Sequence, residues 1–168
     1  MIVIFEGHDN SGKSSIAKAF AKLENGTYIQ DDMLKDAVRE NVNQTYARFQ
    51  LALFLPCFDK SKLIVIDRAI LSHLVYSTVF NQPCNKALAE RTRKLLDSSR
   101  QVVHIICYKT NKITKDDVFD KQEVIRQEFS KLTSEFNNIL MLDTTEQDLD
   151  AQLDQIRTFV YDFISNKV

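Results

Sequence analysis

The chain has 168 residues, 44% hydrophobic and 27% charged, with a formal net charge of −1. That length and balance suit one globular domain with its own core, and exclude a disordered or fibrous chain. Near-neutrality removes any global electrostatic case for a nucleic-acid polymer or a membrane as partner, so an anionic ligand needs a local site.

In chain order, MIVIF is an apolar run expected of a strand buried on both faces. Glu6 follows at once, which makes the run too short for a signal peptide or a membrane span. Helical spacing over 14–24 puts Ile16, Ala19, Phe20 and Leu23 on one side, with Gly26 as the expected cap. TYIQ reads as a weak second strand. Helices are expected over 32–40 and 44–58. The second is apolar nearly all round (Tyr46, Phe49, Leu51, Leu53, Phe54, Leu55), so it is buried or lines a pocket.

KLIVID is the next buried strand, ending at Asp67. Ile70, Leu71, Leu74, Val75, Thr78 and Val79 then mark a helix, and Pro83 opens another that runs to about Ser99. VVHIIC is a fourth strand, and the polar stretch over 109–117 reads as a loop. Val118, Ile125, Phe129, Leu132 and Phe136 form one helical stripe. NILMLD is a fifth strand, and Leu149, Leu153, Ile156, Val160 and Phe163 mark the last helix. Alternating strands and helices, with no repeat and no linker, predict a single α/β domain with a five-stranded parallel sheet flanked by helices.

Cys57, Cys84 and Cys107 are odd in number and far apart, without a CxxC pair or a metal-ligand cluster. They read as reduced thiols of a cytoplasmic protein.

The chain holds three glycines, and two of them, Gly7 and Gly12, stand five residues apart. Gly7-His8-Asp9-Asn10-Ser11-Gly12-Lys13-Ser14 matches G-x-x-x-x-G-K-[ST], the phosphate-binding loop, between an apolar strand and a helical pattern. The glycines let successive backbone N–H groups turn inward toward phosphate oxygens, and the helix N-terminus adds its own donors and dipole. Gly7, Asn10, Ser11, Gly12, Lys13, Ser14 and Ser15 are thus the expected nucleotide-binding set. Lys13 would reach the β- and γ-phosphates, and the Ser14 hydroxyl would hold Mg²⁺. The expected fold is the three-layer P-loop NTPase fold.

The loop announces a nucleoside triphosphate but not its use. A switch GTPase would carry a D-x-x-G element downstream and a guanine-reading N-K-x-D. Neither occurs, since Asn111-Lys112-Ile113-Thr114 lacks the aspartate. The G-x-G-x-x-G of dinucleotide folds is also absent. A second carboxylate, Asp67, ends a buried strand at the sheet edge where open α/β sheets bind ligands, and could join the Mg²⁺ shell or cap the next helix. Arg68 beside it offers a planar donor fork for a phosphate.

FEGHDNSGKSS resembles the opening block of thymidylate kinases, VIDRAILSHLVYS resembles their strand-end D-R motif with helix serines and a Tyr, and DTTEQDLD is similar to their last strand. The resemblance implies a nucleotide kinase of the compact kind that phages encode, with ATP as donor and small nucleotides as partners. The first-guess acceptor is thymidylate or a modified pyrimidine deoxynucleotide. Position by position, it puts Asp9 near a deoxyribose 3′-hydroxyl, Arg68 on the acceptor phosphate and Asp67 close to the metal. It also allows a homodimer through the apolar helices around 44–80.

NQTYARFQ resembles the deoxynucleoside kinases, in which a helix Gln pairs with the base. On that likeness Gln44 would supply an amide to the acceptor base and Arg48 a donor. Phe49 would supply a stacking face, although its helical spacing equally suits the core. Asn10 departs from the usual Gly, and Asp31-Asp32 stands where thymidylate kinases carry an arginine-containing segment. In deoxynucleoside kinases an acid there serves as general base; here the pair also suits helix capping. Lys109, Lys112 and Lys115, with Arg126 further on, stand where lid arginines are expected. His8 reads as a variable loop position, His104 as a satisfied core histidine, and His73 as a residue that could face either way. Three readings remain: a monophosphate kinase, a deoxynucleoside kinase using Asp31 or Asp32, and a nucleotide-binding regulator without turnover.

Overall fold

Alternate side chains of each apolar run serve two separate cores. The computed structural model describes residues 1–30, 62–81, 87, 90–91, 94, 101–111, 119–133, 136–146 and 148–165. Its strands are β1 (Ile2–Gly7), β2 (Thr27–Gln30), β3 (Ile64–Asp67), β4 (Val102–Tyr108) and β5 (Ile139–Asp143). All pair in parallel, in the order β2-β3-β1-β4-β5. The helices are α1 (Lys13–Leu23), α2 (Ile70–Val79), α3 (Gln122–Thr133), which follows a 3-10 turn at Phe119–Lys121, and α4 (Leu149–Ser165).

Ile2, Ile4, Ile64, Ile66, Val102, Ile106 and Ile139 face α2 and α3, packing on Leu71, Val75, Ile125 and Phe129. Their odd-and-even neighbours Val3, Phe5, Val65, Val103, Ile105 and Leu142 face α1 and α4, against Ile16, Phe20, Leu153, Ile156, Val160 and Phe163. This is the three-layer α/β/α arrangement, and it explains why β1, β3 and β4 read as unbroken apolar runs: both pleat faces are covered. The expected strands all form. TYIQ pairs along its whole length with β3.

Two details differ from expectation. α1 ends in a Schellman motif in which Asn25, at φ 52°, takes the left-handed position and Gly26 follows it. The Gly26 N–H donates to the Ala21 carbonyl at 2.7 Å and the Asn25 N–H to Lys22 at 3.4 Å. Gly26 caps the helix through its own N–H and is also crowded, since a Cβ there would sit 3.0 Å from the Leu63 side chain and Leu63 would have to give way. His104, expected to be a satisfied core histidine, is fully buried, but neither ring nitrogen has a hydrogen-bond partner among the described residues. Burial alone pushes its pKa down to about 4.

The sheet order places β1 centrally, and the connections leaving β1 and β4 diverge to opposite sides. Open α/β sheets bind ligands in the crevice at such a point, at the carboxyl ends of the strands. The register brings Asp67 opposite Phe5 and Cys107 opposite Gly7 at that edge.

Candidate functional site

The loop between β1 and α1 is shaped by its neighbours as much as by its own sequence. Gly7 sits at φ 134°, and a Cβ there would lie 2.0 Å from the Cys107 carbonyl oxygen of β4. Glycine is required at that point by the adjacent strand, whatever binds in the loop. Gly12 has φ 81° and faces open space, the nearest atom to a hypothetical Cβ being 3.9 Å away on Ile16. Its demand is purely conformational. Asn10 also stands in the left-handed region, at φ 62°, a conformation Asn tolerates better than most residues. This accounts for Asn where the resembling family carries Gly.

α1 begins with no side-chain cap and no acidic residue in its first turn. Its positive end therefore faces the loop unneutralised. The loop itself is pinned from behind. Ser11 is buried, its N–H donates to the His8 carbonyl at 3.3 Å, and its own carbonyl accepts from the Thr144 hydroxyl at 2.5 Å. Its hydroxyl, also buried, has no partner among the described residues. Ser14 is half-buried and Ser15 exposed at the helix start.

Three charged side chains converge on this mouth. Lys13 is buried, with Nζ 3.5 Å from the His8 carbonyl and 3.9 Å from Asp9 Oδ1. Arg68 forms an ion pair with the same Asp9 oxygen through Nη2. Its backbone is held at φ 76° by an N–H bond of 2.7 Å to the Phe5 carbonyl, which aims the side chain back over the loop. Burial, and then the nearby Arg68 charge, lower the Lys13 pKa. Burial opposes the charge on Arg68 as well, but Tyr76, Asp9 and Glu6 outweigh it and its pKa rises. Two partly desolvated cations thus share one half-exposed carboxylate, an arrangement that a bound anion would relieve.

Asp67, 4% exposed, accepts a hydrogen bond from the Tyr28 hydroxyl at 2.9 Å. That leaves lone pairs on a carboxylate able to accept several bonds. Its oxygens and the Ser14 hydroxyl are hard donors of the kind Mg²⁺ takes when phosphates and water complete its shell, so the residues present fit that metal.

Several residues that the sequence left without a role complete the site. Glu6, fully buried at the end of β1, accepts from the backbone N–H groups of Leu71 at 3.2 Å and Ser72 at 3.1 Å, and from the Ser72 hydroxyl. It caps α2 from the neighbouring strand, a charge-assisted arrangement at a positive helix end. The signal was a carboxylate inside a buried run, which has to find donors. Tyr76 accepts from the Asp9 N–H at 3.1 Å, and its ring lies 5.3 Å beneath the Arg68 guanidinium. Burial is the main cause raising its phenol to about 12. Ser72, Tyr76 and Phe80 stand four apart, the spacing of one helix face, which could have flagged them.

His8 is the largest departure from expectation. It is 1% exposed, and its ring bridges Asp9 and Lys109. Of the expected lid groups, Lys109 starts directly after β4, while Arg126 pairs with Glu123 on the surface of α3 at 2.6 Å and 2.8 Å. His73 is half-buried on α2. Cys107 is fully buried, and burial pushes its thiol up to about 12. Asp31, Asp32, Gln44, Arg48, Phe49, Lys112, Lys115, Cys57 and Cys84 lie outside the described residues, as do the helices expected over 32–40 and 44–58.

No family model and no curated protein matches the chain by sequence. Solved structures do match by shape. YorR from Bacillus subtilis, in complex with phosphorylated GDP, is 18% identical with a TM-score of 0.69, covering 96% of each chain. Thymidylate kinase from Candida albicans is 17% identical with a TM-score of 0.69, over 99% of this chain and 92% of its own. Thymidylate kinase from Ehrlichia chaffeensis is 16% identical with a TM-score of 0.66, over 94% and 97%. With its sheet order, its phosphate loop after the central strand and these neighbours, the chain has the thymidylate kinase-like P-loop kinase fold.

Proposed function

We propose that the protein is a nucleoside monophosphate kinase that moves the γ-phosphoryl group of ATP to a deoxynucleoside monophosphate, with thymidylate or a modified pyrimidine nucleotide as first acceptor. The observation that carries this reading is the convergence of Lys13, Arg68 and Asp9 at the mouth of the phosphate loop. Lys13 opens helix α1 behind the loop, Arg68 follows β3, and both meet the same Asp9 oxygen. One cation suits a donor phosphate and the other an acceptor phosphate. The three neighbours of like fold, two of them thymidylate kinases, support the same class.

In this reading the loop amides over Gly7 to Ser15, with the open N-terminus of α1, hold the triphosphate of ATP. Asn10, Ser11 and Gly12 supply backbone donors and Lys13 a point charge. Ser14 and Asp67 would hold Mg²⁺, which when bound neutralises phosphate charge. Arg68 has five N–H donors and spends Nη2 on Asp9, so its remaining fork can take the acceptor phosphate. Asp9 orients that fork and turns its half-exposed face toward the sugar hydroxyl. Gln44, Arg48 and Phe49 are the proposed base-reading residues. Catalysis is then positioning and charge neutralisation, with no general base required, because a phosphate acceptor is already ionised.

The test is ADP release with ATP and Mg²⁺ across a panel of nucleoside monophosphates and deoxynucleosides, with Lys13→Ala as blank. Turnover confined to monophosphates is the expected result, and Arg68→Lys should then lower kcat/KM for the acceptor by about 10- to 100-fold, since a lysine lacks the fork. Turnover on deoxynucleosides would overturn the assignment of Arg68 and move attention to Asp31 and Asp32. ATP binding without any turnover would mean a nucleotide-binding regulator.

A further inference from the structure

The His8 ring lies between the phosphate loop and the first residue after β4. Its Nδ1 is 2.7 Å from the Asp9 carbonyl oxygen, which can only accept. Its Nε2 is 2.9 Å from the Lys109 backbone nitrogen, which can only donate. The two partners therefore assign the tautomer: Nδ1 carries the proton and Nε2 is bare. The ring is 1% exposed, so neither bond can be exchanged for water without opening the loop.

Both ends of this bridge belong to functional elements. On one side, the His8 carbonyl accepts from Lys13 Nζ, and Asp9, the next residue, accepts from Arg68. On the other, Lys109 begins the lysine-bearing stretch that follows β4. That root is fixed at two further points. The buried Gln122 side chain donates to the Lys109 carbonyl at 2.6 Å, and the Thr110 N–H donates to the Thr145 hydroxyl at 2.8 Å. His8 is the loop side chain that takes the Lys109 N–H of this root, beside the Thr144 hydroxyl that holds the Ser11 carbonyl.

We propose that neutral His8 is a positioning residue that fastens the phosphate loop to the root of the segment after β4, so that protonating its Nε2 unfastens the loop and weakens triphosphate binding. A proton on Nε2 sets a donor against the Lys109 N–H, and the pair separates. The charged groups facing the ring are Lys13 from α1, Lys109 from the end of β4 and Asp9 from the loop itself. Two of the three are cations, and the imidazolium would add a third beside the site. Burial, the largest effect, holds the ring neutral below its ordinary range. The unfastening therefore belongs to mildly acid conditions, below about pH 6.5.

The inference rests on reading the loop as a nucleotide site, and two readouts separate the two claims. Ring-nitrogen NMR of the wild-type chain without ligand tests the bridge alone. Nε2 should appear as the bare nitrogen near neutral pH and titrate below about pH 6.5. A proton on Nε2 at neutral pH would overturn the proposal, whether or not nucleotide binds.

The second readout is Mg²⁺-ATP affinity from about pH 8 to about pH 5, for wild type and His8→Gln, each normalised to its own value at about pH 8. Glutamine retains an acceptor and cannot titrate, and the comparison cancels the titration of the triphosphate. Wild-type affinity should fall relative to the variant by about threefold or more across this range. Parallel profiles would overturn the proposal. Absence of ATP binding in both proteins, with the NMR result as expected, would sink the kinase reading and leave the bridge standing.

Discussion

Gly7 and Gly12 occupy equivalent places in a motif, yet different forces demand them. At Gly7 a side chain would run into the Cys107 carbonyl 2.0 Å away, backbone that cannot retreat without breaking the β1–β4 ladder. At Gly12 only the positive φ resists substitution. Gly7→Ala should therefore fail to fold or lose several kcal/mol, whereas Gly12→Ala should lose about 1–2 kcal/mol, as measured by urea unfolding. Equal losses would show that β4 can yield. The glycines were legible as a loop from their spacing. The reason for the first was not, because it lies one hundred residues further along, in a strand whose register sequence does not state. The same holds for Asp9 and Arg68, each a plain candidate alone, whose pairing is a contact across 59 positions.

At the scale of elements, α2 is held at both ends by side chains from elsewhere. Glu6 supplies the anion at its N-terminus. Lys121, from the 3-10 turn before α3, supplies the cation at the other end, donating to the Val79 carbonyl at 3.2 Å with Nζ 4.4 Å over the Phe80 ring. Phe80 stacks on Tyr76 with centroids 5.7 Å apart, and Tyr76 lies under Arg68. A continuous stack thus runs from the start of α3 to the guanidinium at the site. Removing the cation with Lys121→Met should cost about 1 kcal/mol by losing the helix-end charge and the ring contact together. Lys121→Arg should retain most of it. A Met variant as stable as wild type would mean that this end of α2 is held by packing alone. Helix α2 was readable from Ile70, Leu71, Leu74 and Val75, whose spacing marks a buried face. Its two charged supports were not, since neither lies within the helix.

At the scale of the whole molecule, the sheet buries a titratable side chain whose ring nitrogens have no hydrogen-bond partner among the described residues. His104 stands opposite Ile4 and Ile139 in register, on the face covered by α2 and α3. With a folded pKa of about 4 against an unfolded value of 6.5, it is neutral in both states above about pH 6.5 and adds no pH dependence there. As pH falls from 6.5 toward 4, the unfolded chain takes up a proton that the folded chain excludes, so stability is lost through this window. The loss levels off at about 3 kcal/mol once the folded state also titrates. His104→Leu should remove that slope. The stability difference in favour of the variant should grow by about 1.4 kcal/mol per pH unit between those limits, read from urea unfolding at a series of pH values. A difference independent of pH would mean that the imidazole has found a partner. Strand VVHIIC was correctly read as buried, since six apolar or tolerated positions in a row need two covered faces. Whether its histidine was satisfied depended on which atoms face it, and β1, β5 and the α2–α3 layer decide that together.

The chain by itself determined its class. Runs such as MIVIF and KLIVID, alternating with helical stripes, leave few solutions but a parallel sheet between helix layers, and G-x-x-x-x-G-K-S after the first run marks the proposed phosphate loop. These are local properties, set by side-chain period and backbone freedom within about a dozen residues. Only the tertiary structure decided which strand crowds Gly7, which helix Glu6 caps, that Asp9 and Arg68 meet, and that His8 joins a partner 101 positions away. Each of these is a contact between groups far apart in the chain. Period carries no record of such contacts; strand order, register and the closure of the loop create them.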